Sequence, residues 1–409
     1  MHRTGWALVL ALAALLWGSG AASAGKLRYG GPDAIGATRS LRTAIRTAAA
    51  QGRSLHIVFV HGIRAERAGG SQAFTKRLAK ALGAPPPLSA QRRMLTLQPW
   101  PETATTSGGQ RIWLDEAEWT RSSPFVERST ITASIGTVVV DEVNYWPLLF
   151  PLKCRFLLAP EHDLAGNDID HLKLCGEWIG EERRRGLLST RPKSGGGAKL
   201  NASLKHQIMN WGLSDAVIAL GPMRIYLNAA IDQAFAYALA GRLTGEDYVV
   251  VSESLGSFVV LDAYARGARN VAALLDRTAD LYFLANQFAL LDLARIEGLP
   301  PEVERAGIVD PTAASPVDAA QAASPMQALA TWAGPRTRNA AADPGLPRQI
   351  VAFSDPSDLL TYPVRKLGEA KVVNVYVRNG RRFLGLVADP VKAHIGHVGN
   401  DAIWALLMR

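Results

Sequence analysis

Residues 248–257 read YVVVSESLGS, and this stretch decides the fold. It begins with a continuous apolar run rich in β-branched residues, which is typical of a strand buried on both faces of a parallel sheet. The small and polar residues around Ser254 then predict a tight turn, and the residues after Gly256 predict a helix. A strand that passes through a serine-centred turn directly into a helix would place a hydroxyl at the edge of the sheet.

Working outward from this stretch, the same strand pattern recurs along the chain. The other strand-like runs are residues 55–60, 280–285, 349–353 and 371–377. Helical patterns lie between or before them, at residues 40–51, 72–82, 224–239 and 257–266. Strands alternating with helices predict an α/β fold, with a mostly parallel, doubly wound sheet flanked by helices.

Two stretches interrupt this alternation. Residues 99–204 are rich in Trp, Arg and Pro, and residues 297–348 are rich in Ala, Pro and Arg. We interpret 99–204 as a cap or lid inserted in a single domain whose core is 25–98 and 205–409. Its aromatic residues would either form the core of the cap itself or contact substrate and membrane.

The N-terminus has the pattern of an export signal. Arg3 precedes an apolar run, and the small residues Ala22 and Ala24 predict cleavage after Ala24, so residues 1–24 would be a signal peptide. An uncleaved N-terminal anchor is the alternative. Cleavage implies a periplasmic or secreted protein, in which Cys154 and Cys175 either form a disulfide or remain two buried thiols.

The overall charge is modestly basic. The chain holds 45 Lys and Arg against 36 Asp and Glu, a net charge of +9. These charges are not concentrated into a stripe, which argues against nucleic acid as a partner and leaves peripheral contact with an anionic membrane as an expectation. The two cysteines have no histidines beside them at ligand spacing, so we expect no metal site.

The ends of the other strands carry polar residues that could assist a nucleophilic serine. His61 and Gly62 end the first run, Asn286 and Gln287 the third, and the fourth ends in a turn that contains Asp355 and Asp358. His394 and His397 follow the fifth. A serine hydroxyl is a weak nucleophile at neutral pH and needs a neighbouring base with a group that orients it. Asn286 and Gln287 could hydrogen-bond to substrate or to the catalytic loops.

These strand ends together resemble the α/β-hydrolase superfamily, in its lipase and esterase-like branch. The specific matches are His61-Gly62, the turn at Ser254, the turn at Asp358 and the loop at His394. The resemblance covers roughly residues 55–98 and 205–409. The departure is Ser252, which stands where the family's G-x-S-x-G motif has its first glycine.

The resemblance implies a role for each matched residue. Ser254 would be the nucleophile, Asp358 the acid and His394 the base, because the family places them in this order along the chain. Asp355 and His397 are the alternates. The backbone amides of Ile63, after Gly62, and of Leu255 would bind the oxyanion.

The function implied is an exported serine hydrolase that acts on ester or acyl substrates without a metal or organic cofactor. Two alternatives stay open. One is a non-catalytic relative that binds lipid or a partner through its cap, and the other is an acyltransferase that uses the same residues.

Overall fold

The computed structural model describes most of the chain after residue 27. The predicted signal peptide, most of the insertion at 297–348 and residue Ile63 lie outside the described residues. The described residues are 28–30, 38–62, 72–106, 109, 112, 114–158, 175, 209, 212–240, 248–294, 323–335, 347–379, 382–383, 387–388 and 390–409.

Strands and helices alternate over most of the described residues. The strands are β1 (Arg28–Gly30), β2 (Leu55–Val60), β3 (Gln91–Met94), β4 (Phe125–Ala133), β5 (Gly136–Asn144), β6 (Tyr248–Glu253), β7 (Thr278–Leu284), β8 (Gln349–Ser354), β9 (Lys371–Tyr376), β10 (Arg382–Phe383) and β11 (Val387–Ala388). The α-helices are α1 (Leu41–Ala50), α2 (Ala73–Ala81), α3 (Glu116–Arg121), α4 (Phe150–Lys153), α5 (Ser214–Leu220), α6 (Arg224–Leu239), α7 (Leu255–Ala265), α8 (Arg269–Asp276), α9 (Phe288–Leu291), α10 (Pro325–Trp332), α11 (Pro390–Ile395) and α12 (Asp401–Leu407).

The main sheet has nine strands in the order β1-β9-β8-β7-β6-β2-β5-β4-β3. Its six central strands, from β9 to β5, are mutually parallel, whereas β1, β4 and β3 pair antiparallel at the two edges. Every residue of β2, β6 and β8 is buried, which explains their continuous apolar sequences. The predicted α/β class and all five predicted strands are confirmed, with ends that shift by at most two residues.

Helices cover both faces of this sheet. Successive residues of β2 point to opposite sides, so that Ile57 and Phe59 pack in one hydrophobic cluster and Val58 and Val60 in the other. Residues of α1, α2 and α12 join the first cluster, and residues of α5, α6, α7, α8 and α10 join the second. Because the central strands are parallel, their carboxyl ends meet at one edge, where a ligand site is expected.

The prediction that 99–204 is a cap is wrong for the residues of β4 and β5. These two strands form an antiparallel hairpin, and β5 pairs parallel with β2 inside the main sheet. The strands were missed because β5 carries Asp141 and Glu142, which break the apolar pattern. Both carboxylates are buried and paired, Asp141 with Arg128 and His56, and Glu142 with His61.

Cys154 and Cys175 are joined by a disulfide, with 5.4 Å between their Cα atoms. The disulfide, and not a pair of thiols, is therefore the form that the structure shows. It ties the segment after α4 to a residue 21 positions later in the chain. None of the helices in the described ranges is both long enough and apolar enough to cross a membrane.

Candidate active site

Ser254 forms the turn between β6 and α7 by itself. β6 ends at Glu253 and α7 begins at Leu255, so one residue reverses the direction of the chain. Its backbone angles are φ 54° and ψ −124°, a conformation that is strained for any residue with a side chain. The N–H of Ser254 donates to the carbonyl of Leu284 at the end of β7 (2.7 Å), which helps to hold the turn.

Two glycines allow the chain to pack closely around this turn. A Cβ atom on Gly62 would lie 2.5 Å from Cβ of Ser254, and one on Gly256 would lie 2.6 Å from the carbonyl oxygens of both Val60 and His61. Any side chain at either position would therefore collide with the turn or with the end of β2.

A serine is accommodated at position 252 within β6. The residue is buried and pairs in register with Val60 of β2 and Phe283 of β7. Its Oγ atom has no hydrogen-bond partner among the described residues. The position thus accepts a small side chain, but the hydroxyl contributes nothing that the structure shows.

The structure brings Ser254, His394 and Asp358 into one hydrogen-bonded chain. Oγ of Ser254 lies 2.7 Å from Nε2 of His394, and Nδ1 of His394 lies 2.8 Å from Oδ2 of Asp358. Ser254 and His394 are 140 residues apart in the chain, and His394 and Asp358 are 36 apart. When Nδ1–H donates to the carboxylate, Nε2 carries the lone pair that accepts the serine proton.

The carboxylate of Asp358 is held in its charged form. Burial alone would raise its pKa, but hydrogen bonding to His394 and the charge of that imidazole outweigh burial, so the pKa lies below the ordinary 3.8. The hydroxyl of Thr361 and the N–H of Leu360 (2.9 Å) also donate to the carboxylate. Asp358 is therefore ionised at neutral pH and fixed toward His394.

The alternates Asp355 and His397 have supporting positions. The carboxylate of Asp355 accepts the N–H groups of Ser357 (2.8 Å) and Asn379 (2.7 Å), which fixes the turn ahead of Asp358. Nδ1–H of His397 donates to the backbone carbonyl of His394 (2.8 Å). Burial lowers the pKa of His397 below 6.5, so a neutral imidazole braces the end of α11, the helix that carries His394 where the sequence predicted a loop.

The predicted oxyanion donors are only partly described. Leu255 is the first residue of α7, and the first amides of a helix lack an acceptor within the helix. Gly62 lies directly against the Ser254 turn, as the 2.5 Å Cβ approach shows. Ile63, the other predicted donor, lies outside the described residues.

A buried carboxylate that the sequence analysis missed fixes the turn at Gly62. Oε2 of Glu142 in β5 lies 2.8 Å from Nε2 of His61, and its Oε1 accepts the backbone N–H of Thr75 (2.9 Å) and the Thr75 hydroxyl. Glu142 thus links the end of β2 to the start of α2. The sequence feature that could have revealed Glu142 is the acidic pair inside the otherwise apolar run TVVVDEVN, which lies within the stretch interpreted as a cap.

The pair after β7 contacts the segments that carry Asp358 and His394, which is one of the two roles expected from the sequence. Ala285 has a φ of 52°, which bends the chain sharply after the strand. The side-chain amide of Asn286 donates to the carbonyl of Tyr362 (3.1 Å), and Nε2 of Gln287 lies 3.3 Å from Nε2 of His394. Gln287 therefore stands beside the imidazole on the side that faces Ser254.

Within the described ranges, no group of three or more His, Cys, Asp or Glu side chains is arranged to hold a metal ion. Comparison of the chain with models of known protein families, with curated proteins and with solved structures gives no match. The geometry of the site is therefore the basis for assigning a function.

Proposed function

We propose that this chain is a serine hydrolase that cleaves carboxylic esters through an acyl-enzyme. One observation carries the proposal: Ser254, His394 and Asp358 come from three distant parts of the chain and form a continuous chain of hydrogen bonds of 2.7 and 2.8 Å. A serine linked through an imidazole to a carboxylate is the arrangement that activates a hydroxyl for attack on a carbonyl. The strained turn at Ser254 adds support, because it points the hydroxyl toward the imidazole.

In the first step, Oγ of Ser254 attacks the ester carbonyl while Nε2 of His394 takes the hydroxyl proton. Asp358 stabilises the imidazolium that forms and keeps the ring in the required orientation. His394 then gives the proton to the departing alkoxide, which leaves as an alcohol, and the acyl group stays on Ser254. Water then attacks the acyl-enzyme while Nε2 of His394 takes its proton, His394 returns that proton to Oγ of Ser254, and the carboxylic acid is released.

The oxyanion would be bound by amides at the start of α7 and at the turn after β2. Leu255 supplies the amide at the helix start, where the helix dipole also favours negative charge. His61 and Glu142 would hold the second turn in place, since their hydrogen bond fixes the residue directly before Gly62.

The order of the three residues supports the α/β-hydrolase fold as the finer description of the architecture. The nucleophile follows β6, the acid follows β8 and the base follows β9, at the shared edge of a mostly parallel sheet. This is the order that the resemblance in the sequence implies.

Export to the periplasm or the medium fits the same proposal. The leader at 1–24 has the pattern of a signal peptide, and the disulfide between Cys154 and Cys175 is a bond that persists in oxidising compartments. The basic balance of the chain would favour contact with anionic lipid at such a location.

Covalent labelling with a fluorophosphonate tests the proposal. We expect the wild-type protein to be labelled, Ser254→Ala to be unlabelled, and Ser252→Ala to be labelled like the wild type. Ser252 is a matched control because it is a buried serine of β6, the strand that leads into the turn, and lies two residues before Ser254. Circular dichroism and urea denaturation would establish that each variant is folded.

Labelling that survives in Ser254→Ala would contradict the assignment of the nucleophile. A folded wild-type protein that is not labelled would favour a non-catalytic protein that binds lipid or a partner. Product analysis with an added alcohol would separate hydrolysis, which yields the acid, from acyl transfer, which yields a new ester.

A further inference from the structure

The carboxamide of Gln287 lies beside the imidazole of His394, but it has no role in the mechanism proposed above. Its Nε2 atom is 3.3 Å from Nε2 of His394, and the residue is only 2% exposed. The backbone is fixed as well, because the carbonyl of Gln287 accepts the N–H groups of Leu290 and Leu291, both at 3.0 Å. The side chain is therefore placed at the imidazole by a short, well-anchored turn.

The hydrogen bonds at His394 leave this carboxamide incompletely paired. With its Nδ1–H donated to Asp358, the neutral imidazole has one lone pair, on Nε2. The hydroxyl of Ser254 takes that lone pair at 2.7 Å, so Gln287 faces an acceptor that is already engaged. Its other amide atom, Oε1, is buried and has no partner among the described residues. Buried polar atoms are normally paired, so an unpaired one at a reactive centre indicates a missing ligand atom.

We propose that the carboxamide of Gln287 binds the oxygen atom that leaves during acylation and the oxygen atom that attacks during deacylation. This inference rests on the proposed function. In acylation, the Oγ–carbonyl bond forms, the bond to the alkoxide oxygen breaks, and that oxygen receives its proton from Nε2 of His394. In deacylation, the water oxygen bonds to the carbonyl, its proton passes to Nε2 and then to Oγ of Ser254, and the acyl–Oγ bond breaks.

Both oxygen atoms must come within hydrogen-bond distance of Nε2 of His394, which is where the carboxamide already stands. An attacking water gives one proton to His394 and has a second O–H, which Oε1 of Gln287 accepts. An alcohol that attacks at the same place has no second O–H. Gln287 therefore favours water over alcohols as the acyl acceptor and makes the enzyme a hydrolase more than a transferase.

The ratio of two products tests this assignment. The wild type and Gln287→Met, which keeps the side-chain length and removes the polar atoms, would be supplied with p-nitrophenyl acetate and methanol. We expect the ratio of methyl acetate to acetate to rise about 10-fold in Gln287→Met, because one hydrogen bond to water is lost. The burst of p-nitrophenolate measures acylation separately, so a slower burst in Gln287→Met would report the lost contact with the leaving oxygen and would not affect the ratio of the two products. Gln287→Glu keeps an acceptor oxygen and should restore part of the wild-type ratio.

Gln233→Met is the matched control, because it makes the same substitution at a glutamine of α6 whose carboxamide bonds to the backbone of Thr96. Its product ratio should equal that of the wild type. An unchanged ratio in Gln287→Met, or an equal change of the ratio in Gln233→Met, would overturn the inference while the proposed function stands. If Gln287→Met does not fold, Gln287→Asn, whose shorter carboxamide withdraws from His394, decides the question by the same ratio. A wild type that shows neither burst nor turnover would refute the proposed function itself.

Discussion

Replacing Gly256 with alanine should disturb the turn at Ser254 and the end of β2 that packs against it. The new Cβ would lie 2.6 Å from the carbonyl oxygens of Val60 and His61, whereas real Cβ contacts are essentially never shorter than 3.0 Å. The end of β2 and the start of α7 must therefore separate by at least about 0.4 Å, because both obstacles are backbone atoms. Overpacking of this kind costs about 1–3 kcal/mol of the free energy of unfolding.

The same shift should slow the reaction of Ser254. A misplacement of about 1 Å costs on the order of 100-fold in rate, so a shift of this size should lower the labelling rate roughly 5- to 10-fold. The protein should still fold, because domains have about 5–15 kcal/mol of stability. Urea denaturation measures the first effect, and the second-order rate of fluorophosphonate labelling measures the second.

Gly221 offers a matched control for this substitution. A Cβ on Gly221 would meet only the carbonyl oxygens of Ile218 at 3.5 Å and Val217 at 3.6 Å, which are ordinary contacts, and its φ of −81° suits alanine. Gly221→Ala should keep the wild-type labelling rate and change stability by less than about 0.5 kcal/mol. The reasoning is refuted if Gly256→Ala matches the wild type in both measurements, or if Gly221→Ala is impaired as severely.

Four further variants change the turn at Ser254, its neighbour Ser252, the disulfide, and His397 beside α11. Ser254→Gly should be unlabelled but more stable than Ser254→Ala by about 1 kcal/mol in thermal unfolding, because glycine adopts the φ of 54° without strain. Ser252→Ala removes a buried, unpaired hydroxyl and should raise the free energy of unfolding by up to about 1 kcal/mol; a loss would show a hidden partner. Changing Cys154 and Cys175 together to Ser should cost roughly 3 kcal/mol, and dithiothreitol should then destabilise only the wild type. In His397→Gln, the free energy of unfolding should fall less steeply below pH 6.5 than in the wild type. The pKa of buried His397 is lowered in the native state, so the stability that it contributes above pH 6.5 is lost on acidification. Urea denaturation from pH 8 to pH 5 measures this, and parallel curves for the two proteins would contradict it.

The structure separates the alternatives that the sequence left open at the site. Asp355 and Asp358 are three residues apart in one turn, and His394 and His397 are three apart at the end of α11, so the sequence favoured one member of each pair without excluding the other. The hydrogen bond between Nδ1 of His394 and Oδ2 of Asp358 brings one member of each pair together. Asp355 and His397 instead bond to backbone groups of the same loops.

The sequence by itself determined the five parallel strands, the turn at Ser254 and the residue types at the strand ends. These features are local, because burial on both faces imposes continuous apolar runs and a one-residue reversal requires small neighbours. Only the tertiary structure decided the pairing of β5 with β2, the role of Glu142 and the place of Gln287. Those depend on contacts between residues from 81 to 107 positions apart, and no local pattern records which strand, buried charge or amide will meet which partner.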